Sequence, residues 1–227
     1  MPGQGWLQMI DLGRAAEVLS AGGAVVVPNP APMTYGIVAT DARKVNEVKH
    51  RPIGQNVAVS LHAREQWQQV VPAVDLPTGV LRTVVELLEQ RLSILLPLGA
   101  REALPDWVTP AVRDGHLAAF NGYWAPTAAL WDRFPRLYGS SANLTGRPPA
   151  ADAGQAAAMF GTGCPVVAVA DPDEASGPRA ASTMVRIDPA GRLELVRAGA
   201  QDLGSGLTAG LPLAAPTTRV RRFLCWI

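Results

Sequence analysis

Apolar residues recur at Leu12, Ala15, Ala16 and Leu19, the i, i+3, i+4, i+7 spacing of one helix face. Asp11 precedes them as an N-cap and Gly22-Gly23 follow as a stop, so the spacing predicts a helix between these signals. Ala24–Val27 is then wholly apolar, a short strand of the kind buried on both faces. Pro28, Pro30 and Pro32 break pairing and open a loop that ends at Tyr35-Gly36. Asp41 caps a second helix with Val45 and Val48 inward, and Val57–Leu61 reads as the next strand. Leu81, Val84, Val85 and Leu88 predict a third helix, and Leu92–Leu96 a strand closed by Pro97. After a loop-rich stretch from Gly99 to Gly115 come a strand over Leu117–Phe120 and a helix with Pro126 in its first turn, running to about Arg133. Asp152 opens another helix ended by Gly161, followed by a strand at Val166–Ala170 and a polar loop over Asp171–Ala181. The last pair is a hairpin, Met184–Ile187 and Leu193–Val196, turning at Asp188-Pro189-Ala190-Gly191. Alternating strands and helices predict an α/β fold, one twisted mixed sheet flanked by helices. Residues 1–203 read as a single domain and 204–227 as an irregular tail.

Two segments stand apart from this pattern because they carry chemistry. Ser140-Ser141-Ala142-Asn143-Leu144-Thr145-Gly146 has short hydroxyls, an amide and a terminal glycine, so backbone N–H groups and small donors can converge on an anion. The same composition also suits an ordinary loop. Upstream, Lys49-His50-Arg51-Pro52 ends the second helix. In an extended stretch, Lys49 and Arg51 would point to one side, arginine as a planar fork for phosphate or carboxylate and lysine as a mobile point charge.

With these two segments the chain resembles the YrdC-like family, best known for threonylcarbamoyl-AMP synthases. The family's K-x-R-P segment corresponds to Lys49–Pro52, and its serine-alanine-asparagine turn to Ser141–Gly146. Its late Ser-Thr pair corresponds to Ser182-Thr183, and its Arg-x-Gly to Arg197-Ala198-Gly199. The resemblance spans roughly residues 15–200. It implies a nucleotide site formed by Lys49, Arg51, Ser141, Asn143, Ser182, Thr183 and Arg197. It also implies ATP with Mg2+, and adenylate formation from ATP, bicarbonate and an amino acid with release of pyrophosphate.

The acceptor side departs from the family. Its P-T-D-T-V-Y-G loop reads Pro30-Ala31-Pro32-Met33-Thr34-Tyr35-Gly36 here, and Phe120 stands where the family has arginine. The P-G-P-x-T segment becomes Glu89-Gln90-Arg91-Leu92-Ser93, keeping only the hydroxyl. The resemblance implies an acceptor pocket of Ala31, Met33, Thr34, Tyr35 and Phe120, in which Ala31, Pro32, Met33 and Phe120 stand where the family has a carboxylate, two hydroxyls and a guanidinium. Each missing charge-assisted hydrogen bond is worth about 1.5–3 kcal/mol, so threonine is disfavoured and a larger or more apolar acceptor is expected.

Composition bounds the alternatives. The 20 basic and 19 acidic side chains give a net charge of +1, so no global field draws the protein to nucleic acid and any RNA contact must be local. Arg219, Arg221 and Arg222, beside Phe223 and Trp226, are one such candidate. Hydrophobic residues are 48% of the chain, enough for a sizeable core, yet no run approaches a membrane span. Cys164 and Cys225 read as unpaired thiols of a cytoplasmic protein. The histidines His50, His62 and His116 show no metal-ligand spacing, and no metal site is expected. Two readings result: an enzyme making an acyl- or carbamoyl-type adenylate, or a non-catalytic nucleotide- or RNA-binding protein.

Overall fold

The computed structural model describes residues 9–100, 103–170 and 177–202. Among them run β1 (Met9–Ile10), α1 (Leu12–Ser20), β2 (Ala24–Val27), β3 (Gly36–Ala39), α2 (Ala42–Val48), β4 (Ala58–Ser60), α3 (Arg64–Val70) and α4 (Thr78–Glu89). There follow β5 (Ser93–Pro97), β6 (Val112–Arg113), β7 (His116–Phe120), α5 (Ala128–Arg133), β8 (Tyr138–Ser141) and α6 (Ala153–Phe160). β9 (Val166–Val167), β10 (Met184–Ile187) and β11 (Leu193–Arg197) complete the order. The strands form one mixed sheet in the order β1-β9-β2-β3-β8-β4-β7-β5-β10-β11, with β6 beside β7.

Strand alternation divides the core. In β2, Ala24 and Val26 face one layer while Val25 and Val27 face the other. The first layer is covered along most of the sheet by α2, α3, α4 and α6, through residues such as Val45, Trp67, Val85, Leu88 and Ala156. The second is covered by α1 and α5, where Ala15, Leu19, Leu130 and Trp131 pack over Val25, Val27 and Val38. Over the remaining part of that second face, at β8, β4, β7, β5 and β10, no helix of the described residues packs.

The predicted caps form as expected. Asp11 accepts from Arg14 N at 2.8 Å, Asp41 from Arg43 N at 2.9 Å and Asp152 from Gln155 N at 2.7 Å. The hairpin turn closes with Asp188 accepting from Ala190 N and Arg192 N. Pro126 lies in a 3-10 turn, Ala125–Thr127, that leads into α5.

Several elements differ from the sequence reading. β3 pairs along its whole length with β2 and β8, although its four residues follow directly on the proline loop and offer no separate signal. α3 buries Gln66, Trp67 and Val70 on a face too short to stand out as periodic. The Gly99–Gly115 stretch holds a 3-10 helix, Asp106–Ala111, anchored by Val108 and Ala111 in the core. The strand expected at 166–170 stops at Val167, because its outer partner β1 is only two residues long. The tail from Gly204, with its arginine cluster and Cys225, and the boundary at 203/204 lie outside the described residues.

Candidate functional site

The uncovered part of the sheet is the floor of a cleft of about 380 Å³, a size suited to a small molecule. Period-two alternation sends Ala118 and Phe120 of β7, Ser93 and Leu95 of β5, and Met184 and Arg186 of β10 into it. Gly139 on β8 is required by packing, since a Cβ there would lie 2.7 Å from the Phe120 ring tip and 3.3 Å from the Ile37 carbonyl oxygen.

One corner is built by the two motifs singled out in the sequence. Lys49 is almost fully buried, and its Nζ donates to the Ser141 carbonyl at 2.5 Å and to Asn143 Oδ1 at 2.8 Å. The Ser141 hydroxyl donates to the same Oδ1 at 2.6 Å, and Asn143 Nδ2 donates to Leu144 O and Arg147 O. Residues 92 and 94 positions apart are therefore joined through one ammonium. Burial, reinforced by the Arg51 charge, lowers the Lys49 pKa to about 7.

The backbone here is not extended, as the sequence reading assumed. Lys49 is the C-cap of α2, and His50 takes φ 51°, so that His50 N bonds Glu47 O and Arg51 N bonds Asn46 O. This Schellman closure turns Lys49 inward and leaves Arg51 half-buried beside it. Arg51 Nε donates to Asn46 Oδ1 at 2.6 Å and Nη2 to Asn56 O at 3.3 Å. The anion-like run also begins inside a strand, because Ser140 and Ser141 pair with Ile37 and Gly36.

The far wall comes from β10 and β11. Ser182 Oγ lies 2.7 Å from Ser93 Oγ, and Arg197 Nη2 donates to the Ser182 carbonyl at 2.7 Å. The glycine of Arg197-Ala198-Gly199 has a steric reason: a Cβ at Gly199 would lie 2.2 Å from Ala181 O and 2.6 Å from Thr183 N. Only a bare backbone lets the two motifs touch.

Ser141, Ser182 and Arg197 thus line the cleft, as do Met33, Thr34 and Phe120. Lys49, Arg51 and Asn143 are not among its lining residues and brace its corner. Thr183 departs from expectation: it is buried, and its hydroxyl donates to Asp202 at 3.1 Å. Its neighbour Ser182 lies on the opposite face, so strand alternation turns Thr183 away. Tyr35 is likewise in the core beneath the sheet rather than in the acceptor pocket, and Ala31 does not line the cleft. The loop carrying them is tied down by Thr34 N to Ala180 O and by Asn29 Nδ2 to Thr34 O.

The sequence reading passed over Arg91. This arginine lines the cleft near Phe120, donates through Nη2 to Tyr123 O at 2.8 Å, and has its pKa lowered by burial to about 10. Arg113 and Arg186 also line the cleft, while Asp114 is the single carboxylate among the lining residues. A visible signal was its place: an arginine straight after a helix end, where glycine is usual. Of the other titratable candidates, His116 also lines the cleft, its Nδ1 2.8 Å from Asp114 O, while His62 and Cys164 are buried. His62 bonds Ser60 Oγ and Trp131 O within the core, and burial pushes the Cys164 thiol up to about 12. Among the described residues, no group of three or more His, Cys, Asp or Glu could hold a metal ion. No helix among them is long and apolar enough to cross a membrane.

Fold and cleft together define an α/β protein with a cleft lined by several arginines on one face of a mixed sheet. The Sua5/YciO/YrdC family model, described as "Telomere recombination", matches residues 17–199, and the chain belongs to that family. Sua5 of P. abyssi, solved with L-threonine, is 18% identical with a TM-score of 0.60 over 83% of this chain and 54% of that one. E. coli YciO is 13% identical with a TM-score of 0.57, covering 84% and 93%. Full-length HypF in its phosphate- and nucleotide-bound form is 16% identical with a TM-score of 0.62, covering 84% and 29%. At such identities these neighbours show the shared fold. The chain spans about half the length of the Sua5 chains it matches. A comparison with curated protein sequences finds no match.

Proposed function

We propose that the chain binds ATP at the Lys49–Asn143 corner and forms an adenylate of a small carboxylate or carbamate related to, but distinct from, threonylcarbamate. The observation that carries this reading is the joining of Lys49 to Asn143 and to the cleft-lining Ser141 at one corner of the cleft. The reaction needs no protein nucleophile. An acceptor carboxylate oxygen attacks the α-phosphorus of ATP, the bond to the bridging oxygen breaks, and pyrophosphate leaves with its electrons. What the protein supplies is alignment and positive charge. Arg51 and Arg197 are suited to the phosphates, with Ser141 and Ser182 as short donors; Mg2+ would be carried by the ATP phosphates. Support comes from the P. abyssi Sua5 structure with L-threonine and the HypF structure with phosphate and nucleotide.

The acceptor differs because Met33 and Phe120 replace polar groups on that side. A binding-only role is the second reading, favoured by the two hydrogen bonds that commit the buried Lys49 ammonium inside the protein. Pyrophosphate release from ATP and Mg2+ separates the outcomes, measured with bicarbonate and threonine present or omitted and then with bulkier apolar amino acids. Release that depends on a bulkier acceptor supports the proposal. Threonine-dependent release at full rate overturns the acceptor reading, and ATP binding without release under every condition favours the binding-only role.

A further inference from the structure

Arg91 breaks two local rules at once. It follows the C-cap of α4 with φ 66°, with Arg91 N bonded to Leu88 O and Leu92 N to Leu87 O. This is the left-handed position of a Schellman motif, where glycine fits without strain and a side chain with a Cβ does not. The side chain breaks the second rule. A guanidinium carries five N–H donors. Nη2 reaches Tyr123 O, but Nη1 is buried without any hydrogen-bond partner, and no carboxylate pairs with Arg91 among the described residues. Buried cations held for structural reasons are paired and fully hydrogen-bonded. Backbone strain and an unsatisfied charge at one cleft residue mark a group kept for a ligand.

The surroundings identify the chemistry of that ligand. Ser93, two residues after Arg91, meets the Ser182 hydroxyl, and Arg197 donates to the Ser182 carbonyl, so two hydroxyls and two guanidiniums line the same cleft. Phe120, Leu95 and Met184 supply apolar surface on the same floor. We infer that Arg91 anchors the anionic group of an amphipathic acceptor, a carboxylate or phosphate monoester attached to an apolar body. Phe120 stands where the resemblance has an arginine; here the cation enters from the α4–β5 turn, and Phe120 is left to contact the apolar body. This rests on the proposed adenylating function for the word acceptor, but the anion site itself does not depend on ATP.

The test uses Arg91→Gly and Arg91→Asn, both compatible with the left-handed backbone. Phenylacetate, phenyl phosphate and neutral phenylacetamide serve as probes in calorimetry on the full chain, with ATP titrated separately. The expected result is that wild type prefers one of the two anions to the amide, and that both variants lose at least about tenfold of that affinity. ATP affinity should be unchanged, and the empty variants should melt at or above the wild-type temperature. Equal anion binding in wild type and variants, no binding of either anion to wild type, or a clear drop in melting temperature in both variants would each overturn the inference. Equal weakening of ATP would reassign Arg91 to the nucleotide. Failure of wild type to bind ATP would instead sink the proposed function and leave the anion comparison standing.

Discussion

At the scale of single residues, Lys49 has the most to say about pH. Its pKa is about 7 in the folded protein against 10.5 as the ordinary value. Between those values the unfolded chain binds the extra proton, so stability rises with pH across that window and the penalty is full below about 7. Lys49→Met removes this contribution. Denaturant titrations at intervals between pH 7 and 10 should therefore show the wild type gaining on the variant as pH rises; parallel curves would contradict the burial argument. ATP bound nearby favours the charged ammonium, so binding near pH 8 should take up protons, read by calorimetry in buffers of different ionisation heat. Converting both Lys49 and Arg51 to alanine should weaken ATP at least about tenfold, or ~1.4 kcal/mol, and unchanged affinity would remove the corner from the nucleotide site. Phe120 tests the other end. Its ring crosses Gly139, and Phe120→Arg alone should not confer threonine-dependent pyrophosphate release, because Met33 still puts an apolar side chain on that side of the cleft. Threonine turnover in that variant would refute the pocket argument.

At the scale of elements, the contact between the 181–183 segment and the 197–199 segment shows why motifs distant in sequence act together. Gly199 N donates to Asp202 Oδ2, Ala200 N to Ala181 O, and Arg197 to Ser182 O. Gly199→Ala would force its Cβ against backbone rather than a flexible side chain. Loss of about 1–3 kcal/mol of stability is expected, with weakened ligand binding as Ser182 and Arg197 separate. An unaltered melting temperature would show that the hairpin can shift to make room. The elements read most clearly from the sequence are those with their own periodicity and punctuation: α1 between Asp11 and Gly22, α4 through Leu81, Val84, Val85 and Leu88, and the β10–β11 hairpin around Gly191. β3 and α3 escaped because they lack punctuation: β3 follows the proline loop with no boundary of its own, and Ala63 before α3 offers no capping side chain, unlike Asp41 before the equally short α2. They form through pairing and burial supplied by distant chain segments.

At the scale of the whole molecule, the helices of the described residues cover one face of the sheet along most of its length and only part of the other, with the cleft between the β8 corner and the β10–β11 hairpin. A nucleotide spanning it should slow amide exchange at residues 182–187 and 193–197 as well as at 141–143, measured by hydrogen exchange with and without ATP. Protection confined to the β8 corner would show that the ligand does not reach Arg197. The sequence by itself determined the α/β class, the helix caps and the composition of the motifs, because these depend on residues close in the chain. Of the apolar residues it singles out at Ala31, Met33 and Phe120, the structure brings Met33 and Phe120 to the cleft. Only the tertiary structure decided that Lys49 is a buried brace, that Thr183 and Tyr35 turn into the core, and that Arg91 enters the cleft. Those outcomes depend on which face of a strand or which side of a helix end a residue occupies. That is set by a left-handed residue such as His50 or Arg91 and by strands paired across the whole chain, neither of which a local pattern can encode.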